Sequence, residues 1–576
     1  MTTFASGTDT LTRDALTVLQ PGFTGTTAPD WLLRRLGEGL ASVGLFGRNI
    51  ASPGQLAALT AQLRVERDDV LVAIDEEGGD VTRLEVRTGS SFPGNHALGA
   101  VDDVALTEAV ALELGRRLAA CGVNLNWAPS ADVNSNPANP VIGVRSFGAD
   151  TDLVARHTAA YVTGLQAAGV AACTKHFPGH GDTAVDSHHA LPRIDADLSV
   201  LQTRELVPFR AAIAAGSRAV MSAHILVPAL DPDRPATLSR RVLTGLLREE
   251  LGYDGLIVTD GMEMQAISAT YGIERGSVLA IAAGADAICV GGGLADDETV
   301  RRLRDALVSA VRAGELAEER LADAADRVRA LAAWTAEAAR RSEAAAASVE
   351  ERAVTGTGNR AVVTGGSLTV PGPHHTNGSN GSNASNGVSG SNSPADSNAS
   401  NVSGAPNRSI TPNASGASNG TGGAAEVGLV AARRALTVTR SAAYLPPAEA
   451  PYVAALTPVA NIAVGDETPW GVAAELMRLI PGTGTGSFTG EDAGAAALLA
   501  AGGRPVVAVV RDEHRHPWMA TALDTLLAAR PDTVVVEMGV PQSAPRGALH
   551  IATHGAARVC GRAAAEVIAA DAVTDR

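Results

Sequence analysis

The chain has 576 residues, of which 45% are hydrophobic, and its formal net charge is −16 at pH 7. That length exceeds what one hydrophobic core usually serves, so we expect at least two domains. Nucleic acids and anionic membranes require basic faces, so the acidic balance argues against either as a partner. It favours an enzyme that acts on a neutral or locally captured substrate.

Signals for export or membrane insertion are not apparent. Residues 1–20 lack a basic segment followed by an apolar stretch, and no run of about 18 uncharged apolar residues occurs. The cysteines lie far apart and are predicted to be buried thiols of a reducing compartment. They are Cys121, Cys173, Cys289 and Cys560. We therefore expect a cytoplasmic protein.

Eight apolar runs alternate with amphipathic helical patterns in the first part of the chain. They cover residues 15–20, 43–47, 70–75, 123–128, 170–175, 218–224, 255–260 and 285–292. Uninterrupted apolar runs are typical of parallel strands that are covered on both faces. Eight β/α units predict an N-terminal (β/α)8 TIM barrel over residues 1–345, with an open doubly wound sheet as the alternative.

The rest of the chain divides into two segments. Residues 346–425 are dominated by Asn, Ser, Gly and Thr, which cannot bury enough apolar surface to offset chain entropy, so we predict a disordered linker. Residues 426–576 alternate β and α patterns again and predict a C-terminal α/β sandwich domain. Its predicted strands are residues 435–440, 459–464, 505–510 and 532–538. The HRH sequence at 514–516 could bind a metal, but carboxylates are sparse nearby, so we interpret it as a surface loop.

Polar residues cluster where five predicted barrel strands end, which is where such barrels carry their chemistry. They are Asp75, Asp132, Asn134, Arg145, Lys175, His176, His224 and Asp260. Taken singly, Asp75 could cap a turn, Arg145 could form a surface ion pair and His224 could be a core histidine. Asp260 is different, because an acid that ends an apolar strand is costly unless it is paired or lies at an open mouth.

The loop after the fifth strand, KHFPGHGDTAVDSHH at 175–189, is rich in histidine. His176 and His180 have the spacing of a helical metal site, but the proline and glycines between them disfavour a helix, so we predict no metal. Asp186 stands two residues before His188, and a carboxylate that holds one ring nitrogen raises the basicity of the other. This pair predicts a general acid/base.

A carboxylate at a strand end and a separate proton donor on a loop are the groups that glycoside cleavage requires. Lys175 is the only lysine in the chain. Its compact charge can lie among sugar hydroxyls where a wide guanidinium does not fit. The alternative is a mutational accident of GC-rich coding, which turns lysine into arginine elsewhere.

KHFPGHGDTAVDSH, together with AIDEEGG, NPVIGVRSFG and IVTD, resembles family 3 of the glycoside hydrolases, in its β-N-acetylglucosaminidase branch. The motifs span about residues 15–345, whereas the C-terminal part resembles the second domain of two-domain members only weakly. The resemblance implies retaining hydrolysis of a small saccharide substrate without metal or cofactor. Asp260 would be the nucleophile and His188 the acid/base, oriented by Asp186.

The resemblance also implies that four residues hold the hydroxyls and N-acetyl group of a terminal β-N-acetylglucosamine (GlcNAc). They are Asp75, Arg145, Lys175 and His176. Gly261 and the long linker depart from the usual family pattern. The expected substrates are chitobiose or muropeptide fragments from wall recycling.

Three other functions stay open at this point. A neutral imidazole does not repel phosphate as a carboxylate does, so a phosphorylase could use the same residues. A non-catalytic sugar-binding protein would have lost the nucleophile or the dyad, and both are present. The glycine-rich VGGGLADDE sequence at 290–298 could hold a phosphate, although its acids disfavour that reading.

Overall fold

The computed structural model describes residues 9–294, 296–356, 423–442, 444–458 and 468–573. The fold is α/β, and its N-terminal part contains eight short strands. They are β1 (Leu19–Pro21), β2 (Ser42–Leu45), β3 (Leu71–Ile74), β4 (Leu125–Asn126), β5 (Ala171–Phe177), β6 (Ala219–Ser222), β7 (Leu256–Thr259) and β8 (Ile288–Val290).

These strands are parallel and neighbour one another in chain order. β2 to β7 form one sheet, β1 pairs with β8, and a bridge between Val258 and Ala287 links β7 to the segment that enters β8. The order contains no reversal point, which the doubly wound alternative requires. Alternate residues of β7 face different apolar clusters: Leu256 and Val258 face one and Ile257 the other. The sheet is therefore buried on both faces, as the uninterrupted apolar runs predicted.

Helices connect the strands. They are α1 (Thr10–Thr17), α2 (Asp30–Glu38), α3 (Pro53–Glu66), α4 (Asn95–Val101), α5 (Val104–Ala120), α6 (Thr151–Ala167), α7 (Leu198–Val200), α8 (Leu206–Ala214), α9 (Gln265–Tyr271), α10 (Ile273–Ala283), α11 (Asp297–Arg312) and α12 (Glu318–Gly356). The prediction of a strand at 15–20 is partly wrong, because α1 continues to Thr17. Its first turn is capped by Asp9, which accepts from the Thr12 amide at 2.6 Å.

A second sheet of six strands lies in the C-terminal part. Its strands are β9 (Thr437–Arg440), β10 (Tyr452–Leu456), β11 (Gly484–Phe488), β12 (Val506–Val510), β13 (Val534–Glu537) and β14 (Leu549–Ala552). The spatial order is β11-β10-β12-β13-β14-β9, and only β9 runs antiparallel to its neighbour. The helices are α13 (Gly423–Ala435), α14 (Ala473–Leu479), α15 (Ala493–Ala501), α16 (Pro517–Ala529) and α17 (Arg558–Val573).

Three of these strands, β10, β11 and β14, were not predicted, while the predicted strand at 459–464 lies outside the described residues. β11 reads GTGSF, whose glycines conceal an edge strand. Described helices reach into both ends of the predicted linker, at Gly356 and Gly423, and residues 357–422 lie outside the described part. Among the described helices, none combines the length and apolar character that a bilayer crossing requires.

Candidate active site

A cavity of about 650 Å³ opens at the carboxyl ends of the N-terminal strands. Six of the seven site residues predicted from the sequence line it: Asp75, Arg145, Lys175, His176, His188 and Asp260. The seventh, Asp186, stands behind His188. Residues separated by up to 185 positions therefore meet in one site, because parallel strands that follow one another all end at the same edge.

Lys175 lines the cavity, is almost fully buried, and bridges two carboxylates. Its Nζ is 2.5 Å from Asp75 Oδ1 and 2.6 Å from Glu77 Oε1. Burial alone would lower the pKa of Lys175, but the two carboxylates outweigh burial and raise it, so the ammonium stays charged. An ammonium has three donors, so one N–H remains for a ligand. The sequence did not predict the bridge, and it explains why a compact cation is needed here.

Arg145 binds the other side of Glu77. Its Nη2 is 2.7 Å from Glu77 Oε1 and its Nε is 3.0 Å from Oε2, and Nη1 donates to the Val141 carbonyl at 3.2 Å. Burial would raise the pKa of Glu77, but Arg145 and Lys175 together hold it well below its usual range. Sequence reasoning missed Glu77, although it follows Asp75 by two residues, and that spacing on a strand end was the available signal.

His176 is engaged at both ring nitrogens. Nδ1 is 2.6 Å from Asp132 Oδ2, and Nε2 is 3.3 Å from Arg145 Nη2, a pattern that fits a neutral ring donating to the acid and accepting from the arginine. Asp132 also accepts from the His180 amide at 2.7 Å and from Ser130 Oγ at 2.8 Å. Burial would raise the pKa of Asp132, but His176 and the other donors depress it strongly. Asp132 therefore links the loop after β4, in which it lies, to the start of the loop after β5.

Asp260 directly follows β7 and lines the cavity. Its Oδ1 accepts from the Gly261 amide at 2.8 Å. Burial would raise its pKa, but the neighbouring imidazoles of His224, His176 and His188 and this amide lower it overall. His224 is itself held between Thr237 Oγ1 at 2.9 Å and the Gly261 carbonyl at 3.0 Å. The geometry favours an ionised carboxylate at neutral pH.

The predicted acid/base pair is in direct contact. His188 Nδ1 is 2.7 Å from Asp186 Oδ1, and the same oxygen accepts from the His188 amide at 2.9 Å. With Nδ1 bound to the carboxylate, Nε2 is the nitrogen left for proton transfer. The Ser187 carbonyl accepts from the Ala266 amide at 3.3 Å, which joins this loop to the segment after β7 that carries Asp260. Burial would raise the pKa of Asp186, but His188 lowers it overall.

The glycine-rich sequence after β8 donates backbone hydrogen bonds to a carboxylate of the same chain, that of Glu263. The amide of Gly291 donates to Glu263 Oε1 at 2.9 Å, and the Gly292 amide contacts the same oxygen. Since these donors are occupied, they do not form a free phosphate cradle. In the described residues no group of three potential metal ligands occurs.

The HRH sequence is not simply a surface loop. His514 lies in a short 3-10 turn and its Nε2 contacts the Pro137 carbonyl at 2.8 Å. Pro137 belongs to the loop after β4 that also carries Asp132 and Arg145. The C-terminal part therefore reaches a loop of the candidate site.

The model of the glycosyl hydrolase family 3 N-terminal domain matches residues 29–331. β-Hexosaminidase A of Pseudoalteromonas piscicida is 37% identical over 309 residues, which are 49% of this chain and 52% of that protein. The chain thus spans about half the length of that relative. A β-hexosaminidase of Pseudomonas aeruginosa PAO1 is 37% identical over 47% of this chain and 80% of its own length.

Solved structures extend the similarity to the C-terminal part. A family 3 β-N-acetylglucosaminidase from Paenibacillus sp. FPU-7 is 32% identical, with a TM-score of 0.76, and the match covers 98% of this chain and 97% of that one. A β-N-acetylhexosaminidase from Beutenbergia cavernae is 33% identical with a TM-score of 0.52, covering 57% of this chain and 99% of its own. The chain therefore belongs to family 3 of the glycoside hydrolases.

Proposed function

We propose that the protein removes a terminal, non-reducing β-GlcNAc from small glycosides by retaining hydrolysis. The observation that carries this proposal is a low-pKa carboxylate, Asp260, and a carboxylate-bound imidazole, His188, on one cavity. A nucleophile and a proton donor that face a common space are what double displacement at an anomeric carbon requires.

In the first step, Asp260 attacks the anomeric carbon while His188 Nε2–H gives its proton to the leaving oxygen. The bond from sugar to aglycone breaks and a glycosyl ester forms on Asp260. Asp186 stabilises the imidazolium that carries this proton through its 2.7 Å contact with Nδ1. Because the leaving oxygen receives a proton as its bond breaks, a poor leaving group departs without becoming a free alkoxide.

In the second step, the now neutral His188 takes a proton from water, and the resulting hydroxide equivalent attacks the anomeric carbon from the side that the aglycone left. The ester bond to Asp260 breaks and β-GlcNAc is released. Two displacements give net retention, and His188 is again protonated for the next cycle.

The part of the cavity lined by Asp75, Arg145 and Lys175, here called the binding wall, supplies substrate recognition. We assign the sugar hydroxyls and N-acetyl group to the remaining donors and acceptors of Asp75, Arg145 and Lys175. Asp75 keeps free lone pairs, and Lys175 keeps one N–H beyond its two carboxylate contacts. His176 supports this set by accepting from Arg145. No cofactor or metal takes part in either step.

The scaffold and setting complete the proposal. The eight N-terminal strands are assigned to a (β/α)8 barrel in residues 1–345, followed by a linker at 346–425 and an α/β sandwich domain at 426–576. A cytoplasmic enzyme would meet imported chitobiose or muropeptide fragments, so peptidoglycan recycling is the process that this activity would serve.

Product analysis tests the reaction. Proton NMR during cleavage of an aryl β-GlcNAc should detect the β-anomer of free GlcNAc first, with the α-anomer growing in only by mutarotation. The same reaction with added phosphate tests the phosphorylase alternative, which predicts GlcNAc-1-phosphate in place of GlcNAc. Initial release of the α-anomer, or phosphate-dependent turnover, contradicts the proposal.

A further inference from the structure

Two loops that support the binding wall contact the C-terminal part of the chain. The first, residues 76–94 after β3, carries Glu77; the second, residues 127–148 after β4, carries Arg145. His514 contacts the second loop at Pro137, as described above. The first loop is held at two points, Asp80 and residues 89–91.

The first of these two points is Asp80, whose side chain is 2% exposed. Its Oδ1 accepts from the Ala556 amide at 2.7 Å, and its Oδ2 lies 2.5 Å from Arg511 Nη2, as a contact of charges and not an aligned hydrogen bond. Burial raises the pKa of Asp80, and Arg511 and the amide counter that rise. Both partners of this acid therefore come from the C-terminal part.

Arg511 is held rigidly at its own end. It follows β12, and the next residue, Asp512, has the left-handed φ of 54°. Asp512 donates its amide to Glu537 at 3.0 Å and accepts from the Val540 amide at 2.8 Å, which fixes the turn. The guanidinium also lies 5.9 Å from the ring centre of Trp470.

The second grip lies farther along the loop. Arg558 donates to the Gly89 carbonyl at 3.2 Å and to Ser91 Oγ at 2.8 Å, and the Val559 amide donates to the Ser90 carbonyl at 3.2 Å. These contacts and those of Asp80 bracket the segment from Val81 to Thr88.

Asp80 is coupled to Glu77 by a tight turn. The Glu77 amide donates to the Val81 carbonyl at 3.0 Å, which closes the turn around Asp80. A Cβ placed on Gly79 would lie 2.4 Å from Gly94 Cα, so the turn has no room to move in that direction. A shift of Asp80 is therefore passed to Glu77, and Glu77 fixes both Lys175 and Arg145.

We propose that Arg511 is a positioning residue of the active site, acting from the C-terminal part through Asp80 and Glu77 on the cations that bind the sugar. This inference rests on the proposed function for its kinetic consequence, but its structural half does not. The C-terminal part would then be required for substrate affinity and not only for stability.

The test compares Arg511→Met with Arg434→Met in the full-length protein. Arg434 Nη1 also pairs across the same boundary, 2.7 Å from Asp103 Oδ2, but Asp103 caps α5 and is not part of the cavity wall. We expect Arg511→Met to raise KM for an aryl β-GlcNAc about 10-fold with kcat changed less than about 2-fold, since misplaced binding groups cost affinity. Arg434→Met should leave both constants unchanged.

Two further variants separate positioning from folding. Arg511→Lys should recover part of the affinity, because it restores the charge on Asp80. Asp80→Asn combined with Arg511→Met should be no worse than Arg511→Met alone, since the two residues act through one contact. Equal kinetic effects of Arg511→Met and Arg434→Met, or a purely additive double variant, would overturn the proposal.

Hydrogen exchange gives a readout that does not depend on the reaction. Arg511→Met should speed amide exchange in residues 76–94, whereas Arg434→Met should not. If the wild type fails to cleave the aryl substrate, the proposed function is wrong while this measurement still decides the coupling. Unchanged exchange in 76–94 contradicts the coupling even if hydrolysis is observed.

Discussion

Two sides of the same cavity are built in opposite ways. On the proposed binding wall, Lys175 lines the cavity with a side chain only 3% exposed and forms a short ion pair with the equally buried Glu77. On the proposed acid/base loop, the His188 side chain is 28% exposed and its Nδ1 contacts Asp186, two residues away. The proposed binding groups are thus held by contacts between distant segments, whereas the proposed proton donor depends on a local contact.

This difference fits the roles that we propose for the two sides. Groups that recognise a sugar gain affinity from preorganisation, which burial and crossed ion pairs provide. A group that donates a proton to a leaving oxygen and then takes one from water must have access to both. Variants that affect one side should therefore separate affinity from chemistry.

The largest effect is expected between the two sides, at Asp260. Asp260→Ala should reduce turnover of an aryl β-GlcNAc by a factor on the order of 10⁴ or more, because no covalent intermediate can form. Added azide should restore part of the turnover by attacking from the vacated space, giving α-glycosyl azide. Turnover within about 10-fold of wild type would contradict the nucleophile assignment.

The acid/base loop should respond according to the leaving group. Replacing His188 by Ala should cut kcat/KM by about 10²- to 10⁴-fold for chitobiose, whose leaving oxygen needs a proton. For an activated aryl substrate the loss in the first step should be much smaller. The comparison of the two substrates is the measurement, and equal losses would argue against the acid role.

A substitution that disturbs the binding wall should lower both substrate affinity and the stability of the fold. Glu77→Gln leaves Lys175 and Arg145 buried with one compensating charge fewer, and removing one partner of a buried ion pair costs about 3–5 kcal/mol. We expect a higher KM together with a lower free energy of unfolding, measured by urea denaturation. A matched change on the loop, Asp186→Asn, should lower kcat with little loss of stability.

Lys175→Arg tests the fit of the compact cation more gently. The charge is kept, but a planar guanidinium cannot occupy the same point between Asp75 and Glu77. A rise in KM of about 10-fold is expected, with kcat nearly preserved, in steady-state assays. Wild-type kinetics would mean that the site accepts either cation.

The last effect concerns the pH dependence of stability and arises at His180, whose Nε2 lies 3.4 Å from Ser187 Oγ on the loop that carries His188. His180 donates its amide to Asp132, its Nδ1 is 2.8 Å from Thr183 Oγ1, and burial lowers its pKa to about 4. The neutral, buried His180 contributes fully to the free energy of unfolding above about pH 6.5. Because the unfolded chain binds this proton first, that contribution falls by up to about 3 kcal/mol as the pH drops from 6.5 toward 4. The acid limb of the unfolding curve should be shallower in His180→Asn, and an identical limb would contradict this.

Much of the N-terminal architecture could be predicted from the sequence pattern. Continuous apolar runs identified most N-terminal strands because buried parallel strands need apolar residues on both faces. They failed at residues 15–17, where a capped helix turn precedes β1, and at the three C-terminal strands β10, β11 and β14. The helix turn and β11 are not visible from apolarity, since capping depends on neighbours and glycine conceals the edge strand. β10 and β14 are apolar but only five and four residues long, which apolarity alone does not assign to a strand.

The sequence alone also determined which residue types stand at the strand ends, and Asp75, Lys175 and Asp260 follow from that register. Their partners were decided by tertiary structure. Glu77 belongs to the candidate site because Lys175 and Arg145 both form ion pairs with it. Arg511 and Asp80, which are 431 positions apart in the chain (511 − 80), are likewise brought into contact by the fold. Periodicity reports the burial of a residue, whereas the pairing of two charges depends on distances that only the folded chain sets.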